Sequence, residues 1–548
     1  GDMAGDVFGN GMLCSKNLKL IAAFNHKHIF VDPDPDPQQS FRERQRLFRK
    51  ALGWDHYNKD KLSGGGCIFN RTDKSLELTP EIQSALNLKN KTMQPHELIR
   101  AILKAQVDLM WFGGIGTYVK ASQETHLDVG DKSNDFVRIN ATDLRAGVIA
   151  EGANLAMTLA SRVEFASLGG RINTDFIDNV GGVDSSDREV NIKILLNTAL
   201  RQLGAPEREA RNKLLTDMTE GLAELVLEDA RAQNRILSMT ERECFETMPV
   251  LSQFIRDLER ERDLDRTLEG LPDDETLEAR IRDGNGLFRP ELAVLLSYAK
   301  MQLTESLLES EMLDDRDLAL TWLSRYYPDP LSGQYQSVFP ETPLRREILA
   351  TVLANYVLDH LGPAFVKSVY NQTGARAEDS VRAFLNMMEV FSLKPILDEI
   401  ENPESPISKD TQLDAMGEFC KLAARTVPWF IFNFAQDKPA DDRACFYRDL
   451  LDTLRKSNDA FLPGNLKRRL SKKTEDYEEK GLSKFAASDL ARLNYYAECL
   501  EPLKLAVEYD LDPALVARLF YLLGQEFTFP WLRAEASMIR SDHHLHSE

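Results

Sequence analysis

Glycines 1 and 5 of the opening GDMAGDVFGNGMLCSKNLKLIAAFN stand ahead of an apolar, helix-like segment starting near Asp6, which leads into a strand ending at Asn25. Turn, helix and strand in that order is what a dinucleotide-binding unit requires. Glycine lets the backbone approach a pyrophosphate, and the first amides of the helix point at the anion with the helix dipole behind them. Gly1, Asp2, Gly5, Asp6 and Val7 are therefore the candidate phosphate cradle. The same residues also suit a tight turn that packs a helix on a sheet. The strand that should lead into the loop would already have passed before Gly1, so the chain reads as a fragment of something longer.

An acceptor for the adenosine ribose belongs about 20 residues beyond such a loop. Asn25 stands there, and Asp32 follows at the end of the next apolar run. An amide bonds a ribose hydroxyl, a carboxylate repels a 2'-phosphate, and Lys27 is the one cation in that stretch, so the pair leans to NAD over NADP. Residues 32–37 (DPDPDP) equally describe a stiff, solvated loop. Gly113, Gly114 and Gly116, with Thr117, follow a strand and would line a cofactor cleft at its carboxyl end, or else form a plain strand-to-helix turn. His26 and His28 have no acidic or cysteine partner at metal spacing and read as structural. His543, His544 and His546 belong to a polar tail, and no metal site is expected.

These residues need elements to hold them. Lys19–Asn25, Ile29–Asp32, Val107–Phe112 and Gly147–Glu151 read as short buried strands; Gln39–Leu52, Pro80–Leu86 and Pro95–Ala105 read as helices. Strands alternating with helices imply a parallel sheet covered on both faces. Near Asn197 the composition changes, because residues 1–195 hold most of the 30 glycines and the remainder is leucine-rich. From Arg208 onward the pattern is helical: Leu214, Met218, Leu222 and Leu225 share one face. Ile348, Val352 and Tyr356 beside Leu349, Leu353 and Val357 form a double stripe that Gly362 and Pro363 end. Prolines 290, 340, 343, 395, 428, 463 and 513 punctuate about a dozen helices, with no fixed repeat. The expected fold is an α/β Rossmann-like parallel-sheet domain over 1–197, its first strand truncated, followed by a large all-α domain over 198–548.

The 548 residues carry 67 basic and 87 acidic side chains, a net charge of −20, which disfavours general binding to nucleic acid or anionic membrane. No apolar run approaches the roughly 18 residues of a membrane span. The six cysteines lie at least 25 residues apart, which leaves no zinc-ribbon spacing and suits a reduced, cytoplasmic protein.

Three further segments, FGGIGTYVKAS at 112–122, AEGANLAMT at 150–158 and NTDFIDNVGGVDSSDREVNIKILLN at 173–197, join the opening and FNHKHIFVDPDPDP in one order. Together they resemble the large NAD-dependent glutamate dehydrogenases. FRPELAVLLSYAK at 288–300 and TPLRREILATVLAN at 342–355 look like that family's C-terminal domain. The resemblance implies oxidative deamination of L-glutamate to 2-oxoglutarate and ammonia with NAD as hydride acceptor, and a homo-oligomer. It implies that Asn154 and Asn179 hold the nicotinamide ribose and carboxamide side, and that Ser186 bonds the substrate's side-chain carboxylate. On the residues alone, Asn154 is a turn asparagine and Ser186 a helix N-cap. The family's catalytic lysines and aspartate belong to a substrate domain that would lie before Gly1, and no catalytic acid or base is assigned in this chain. The competing reading is a non-catalytic helical scaffold built on a decayed dinucleotide fold.

Overall fold

In a computed structural model the described residues are 11–114, 116–203, 208–434, 440–457 and 459–529, with 531, 532 and 535. The proposed phosphate cradle, Gly1, Asp2, Gly5, Asp6 and Val7, and the histidines of the tail lie outside them. The chain separates into two compact units. One holds residues up to Val190 with Val226–Ala230 and Glu259–Val294; the other holds Asn191–Leu225, Arg231–Leu258 and the chain from Leu295.

Among its described residues the first unit contains ten short strands: β1 (Ala22–Phe24), β2 (His28–Val31), β3 (Cys67–Asn70), β4 (Leu76–Glu77), β5 (Thr92–Met93), β6 (Leu109–Phe112), β7 (Val119–Lys120), β8 (Ile139–Asn140), β9 (Val148–Glu151) and β10 (Arg171–Ile172). The runs expected as strands at Lys19–Asn25, Ile29–Asp32, Val107–Phe112 and Gly147–Glu151 hold β1, β2 apart from its first residue, β6 and β9. Their pairing departs from a single parallel sheet. β6, β9 and β10 form a parallel sheet in the order β10-β9-β6, and β7 pairs parallel with β8. β1, β2 and β3 instead form an antiparallel sheet, and β4 pairs antiparallel with β5.

Link length explains the difference. Only Asn25, His26 and Lys27 separate β1 from β2, whereas a parallel crossover needs about a dozen residues or more. The Asn25 side chain closes this turn, its Oδ1 accepting from the Lys27 and His28 amides at 2.8 and 2.7 Å. Residues 113–147 separate β6 from β9, ample for a parallel return.

The helices of this unit start where their caps dictate. Asp36 Oδ1 accepts from Gln39 N at 2.7 Å ahead of Pro37–Arg49, Thr79 caps Pro80–Ala85, and Gln94 with Glu97 forms a capping box on Pro95–Leu103. All three carry proline in the first turn, where its missing N–H costs nothing. Ile29, Val31, Leu98, Ile99, Val119, Ile149 and Met157 form the buried centre that fixes β6 and β9 beneath their loops.

Every element among the described residues of the second unit is a helix. Arg345–Leu361 buries Ile348, Leu349, Leu353 and Val357, and stops at Gly362, whose φ of +80° suits glycine and whose amide returns to the Leu358 carbonyl. Pro395 and Pro513 of this unit, like Pro290 of the first, sit in first helical turns, and Pro463 precedes one. Pro428 corrects the expectation: it lies inside the continuous helix Lys409–Asn433, where burial of Leu422, Val427 and Phe430 offsets the lost hydrogen bond. Among the described residues no single helix is long and apolar enough to cross a membrane.

Candidate functional site

β6 and β9 are parallel neighbours, so the residues that carry the chemistry, Gly113, Gly114 and Thr117 after β6 and 152–155 after β9, leave the sheet at the same carboxyl edge. They are bonded to one another. Thr117 Oγ1 donates to the Leu155 carbonyl at 2.7 Å, and the Tyr118 amide donates to the Ala156 carbonyl at 2.8 Å. From the other side Asp175 Oδ2 accepts from the Leu155 amide at 2.8 Å. These bonds hold Leu155 at a φ of +61°, a left-handed conformation that a γ-branched residue adopts only under such constraint. Gly152 is required by contact: a Cβ there would stand 2.9 Å from the Trp111 indole.

Beneath the loops lies a buried charge network. Arg162 makes a bidentate bridge to Glu151 at 2.7 and 3.0 Å and reaches Asp175 at 3.0 Å, with both members of the Glu151–Arg162 pair almost fully buried. Asp178 Oδ2 accepts from the Glu151 amide at 2.9 Å, and its Oδ1 accepts from Asn173, which in turn accepts from Arg289 Nε at 2.5 Å. Burial pushes the Glu151 carboxyl above its usual range in spite of Arg162, and Asp175 and Asp178 push the same way. Burial likewise raises Asp178. Burial opposes the charge on Arg162, but its carboxylate neighbours hold it protonated. Two carboxylates bonded to one guanidinium, with Asp178 bonded to the Glu151 amide, thus tie β9, the loop after it and the short helix Asp175–Asp178 into one body.

That body carries the two expected asparagines. Asn179 caps the Asp175–Asp178 helix, Asn154 rides the loop after β9, and the Asn179 side-chain amide donates directly to Asn154 Oδ1. The pairing leaves the Asn154 NH2 as donor and the Asn179 carbonyl as acceptor, the complement of a further carboxamide. Ser186 lies in the helix Val180–Leu203, two turns in, exposed, its hydroxyl bonded to the Val183 carbonyl at 2.8 Å. The helix begins before it, so Ser186 is not an N-cap. Close by in sequence, Arg188 bridges Asp184 and Asp229, and burial with the Asp229 charge raises the Asp184 carboxyl to about 6.

A separate cluster surrounds a cavity of about 1540 Å³, whose lining includes Asn25, Gly113, Gly114 and Arg71. Asp32 is not on it. Its carboxylate is buried and turned to the Ser63 amide and hydroxyl. The structure therefore brings Asn25, Gly113 and Gly114 to one cavity and joins Asn154 to Asn179, while Asp32 points into the protein. Sequence reasoning missed Arg71, whose guanidinium donates to the Asn25 carbonyl at 3.0 Å, because it arrives from the far end of β3. It also missed the Arg162 network, whose one sequence signal is charge at positions flanked by buried apolar residues.

Residues 1–240 match the family model described as bacterial NAD-glutamate dehydrogenase, catalytic domain, and residues 284–548 match the one described as glutamate dehydrogenase, C-terminal. Among curated proteins the chain is 41% identical over 532 residues to an NAD-specific glutamate dehydrogenase of Pseudomonas aeruginosa, covering 97% of this chain and 33% of the relative. It is 39% identical over 533 residues to that of Halomonas elongata, with the same coverage, and 36% identical over 554 residues to that of Mycobacterium tuberculosis, covering all of this chain and 34% of the relative. The chain spans about a third of the length of the curated relatives it matches.

Proposed function

The chain belongs to the NAD-dependent glutamate dehydrogenases, and from that premise we propose that it forms the cofactor-holding part of an enzyme that oxidatively deaminates L-glutamate to 2-oxoglutarate and ammonia. The cofactor of the family is NAD. We assign residues 1–197 to a Rossmann-like domain and 198–548 to a helical C-terminal domain, in a homo-oligomeric cytoplasmic enzyme.

The observation that carries this reading is the Asn154–Asn179 pair, held at the carboxyl edge of a parallel sheet with one donor and one acceptor to spare. Those two groups fit the carboxamide of a nicotinamide ring, accepting from its NH2 and donating to its carbonyl. Bound there, NAD supplies the hydride acceptor. The buried Arg162 network keeps the two amides in register before the ligand arrives, so little ordering remains to oppose binding. Asn25, Gly113 and Gly114 belong to the same proposal as the adenosine and pyrophosphate side, and Ser186 as the donor to the substrate's distal carboxylate; Asp32 would act on cofactor choice through its charge rather than by contact. The catalytic lysine and its acid are assigned to another part of the longer enzyme. Lys120 illustrates why: its Nζ is committed to the Ala121 and Glu124 carbonyls at 3.1 and 2.6 Å.

A scaffold has no use for a spare donor and acceptor on a preorganised amide pair. Calorimetry with NAD on this chain and on its Asn154→Ala/Asn179→Ala variant tests the reading. Binding weakened roughly tenfold or more in the variant is expected, from the loss of two hydrogen bonds at about 1 kcal/mol each. Equal binding by both, or none by the parent chain within a full-length enzyme, overturns it.

A further inference from the structure

Arg289 reaches the charge network beneath the asparagine pair from outside the motifs that form it. It lies within the region matched as glutamate dehydrogenase, C-terminal, 116 residues beyond Asn173, yet it belongs to the same compact unit. It is the first residue of the helix Arg289–Glu309. A helix start is the positive end of the macrodipole, so a cation gains nothing from that place by itself. The backbone there is nonetheless firmly held. The Phe288 amide donates to Glu291 Oε2 at 2.6 Å, Arg280 grips the same carboxylate at 3.0 and 2.8 Å, and the Arg280 guanidinium covers the Phe288 ring at 4.5 Å. Glu291 is almost wholly buried, which shields these bonds from water.

From that anchor a line of hydrogen bonds runs toward the pair. Arg289 Nε donates to Asn173 Oδ1 at 2.5 Å, Asn173 Nδ2 donates to Asp178 Oδ1 at 2.6 Å, and Asp178 Oδ2 accepts from the Glu151 amide at 2.9 Å. A guanidinium can only donate, so it fixes which way the Asn173 amide faces, carbonyl to Arg289 and NH2 to Asp178. Asp178 ends the short helix Asp175–Asp178; Asn179, the next residue, caps that helix and donates to Asn154 Oδ1. Arg289 also supplies charge. Burial opposes ionisation of Asp178, and the Arg289 and Arg162 cations favour it. An ionised Asp178 accepts from both partners, whereas a protonated one turns an oxygen into a donor.

We propose that Arg289 is a positioning residue for the nicotinamide end of the cofactor, holding Asn173 and Asp178 so that Asn179 stays against Asn154 with its carbonyl open to the ligand. The proposal rests on the reading of that asparagine pair as the nicotinamide carboxamide site. It adds a residue of the C-terminal family region to the machinery that organises the pair. The role needs both a donor and a positive charge, so lysine should fill it in part and methionine not at all.

Calorimetry with NAD and with ADP-ribose, which lacks the nicotinamide ring, tests it on a polypeptide of the relatives' full length that carries this chain. Arg289→Met keeps helix propensity but removes the donor and the charge. Its dissociation constant for NAD should rise about tenfold, because the amide pair must then be ordered on binding, while that for ADP-ribose stays within about twofold of the parent. Arg289→Lys should recover most of that loss. Unchanged NAD binding in Arg289→Met overturns the proposal, as does equal weakening of both ligands, the mark of a merely structural role, or a lysine variant no better than methionine. Asn154→Ala/Asn179→Ala separates the proposal from its premise. NAD binding kept by that variant sinks the nicotinamide reading and the proposal with it, whereas NAD binding lost there and kept in Arg289→Met sinks the proposal alone. If Arg289→Met fails to fold, Asn173→Ala cuts the same line one bond further along, and the same comparison of NAD with ADP-ribose decides.

Discussion

Replacing Arg162 with methionine tests whether the buried charge network positions the site. Methionine keeps the straight-chain form and helix propensity within Leu159–Ser167 but removes the cation that Glu151 and Asp175 share. Glu151 has no exposed surface, and its side chain would lose both of its arginine bonds. Removing one partner of a buried pair costs about 3–5 kcal/mol, because the remaining charge is stranded. That is a large share of the roughly 5–15 kcal/mol that holds a typical domain. The deficit should depend on pH in a definite direction. Glu151 and Asp178 are already raised by burial, and without the guanidinium they rise further. A carboxyl whose folded pKa is raised contributes stability below its unfolded pKa and loses it as pH rises through the folded value. The variant should therefore fall furthest behind its parent at pH 8 and recover part of the gap at pH 5. Adding Glu151→Gln to Arg162→Met should restore stability at pH 8, since an amide needs no counter-charge. Urea unfolding of the parent, Arg162→Met, Glu151→Gln and the double variant, followed by tryptophan fluorescence at both pH values, measures all four terms of the cycle. A single-variant loss under about 1 kcal/mol, or a double variant no more stable than the single, would refute the argument.

Gly152→Ala should cost about 1–3 kcal/mol by overpacking and weaken NAD binding, because the new methyl group meets the Trp111 ring; thermal melts with and without NAD check it. Asp184→Asn should gain stability relative to the parent as pH rises from 5 to 8, the gap widening by roughly 1 kcal/mol after solvent screening. The parent's raised carboxyl loses its contribution as pH climbs through about 6, and an equal gap at both pH values counts against this. In a full-length enzyme, Ser186→Ala should raise the KM for glutamate about ten- to a hundredfold and the KM for NAD far less, as expected for one hydrogen bond to a carboxylate. An earlier melt with unchanged glutamate kinetics would instead make its bond to the Val183 carbonyl the residue's whole role.

What the sequence makes legible and what it hides follow from how far each constraint acts along the chain. Pro37–Arg49, Pro80–Ala85 and Pro95–Leu103 are readable because their caps and first-turn prolines lie within four residues of the helix they start. β1, β2, β6 and β9 are readable because a buried strand must be an apolar run between turn residues. Their pairing is not, since a run of apolar residues says nothing of its neighbour. Only the three-residue link at Asn25–Lys27 announces the antiparallel β1–β2 turn, and the spacing of Asn25 from the glycine loop also suits a ribose acceptor. The same residue shows how one side chain can suit two demands, as its Oδ1 closes the turn while the residue still lines the cavity. Asp32 carries the opposite lesson: Ser63, which turns it inward, is thirty-one residues away, and the solvated loop that DPDPDP suggests begins only after it. At the site, Asn154 and Asn179 were named by motif. What presses them together is Arg162, bonded to Glu151 before the loop and to Asp175 beyond it, and no local pattern in the sequence marks an arginine as the residue that two separate motifs share.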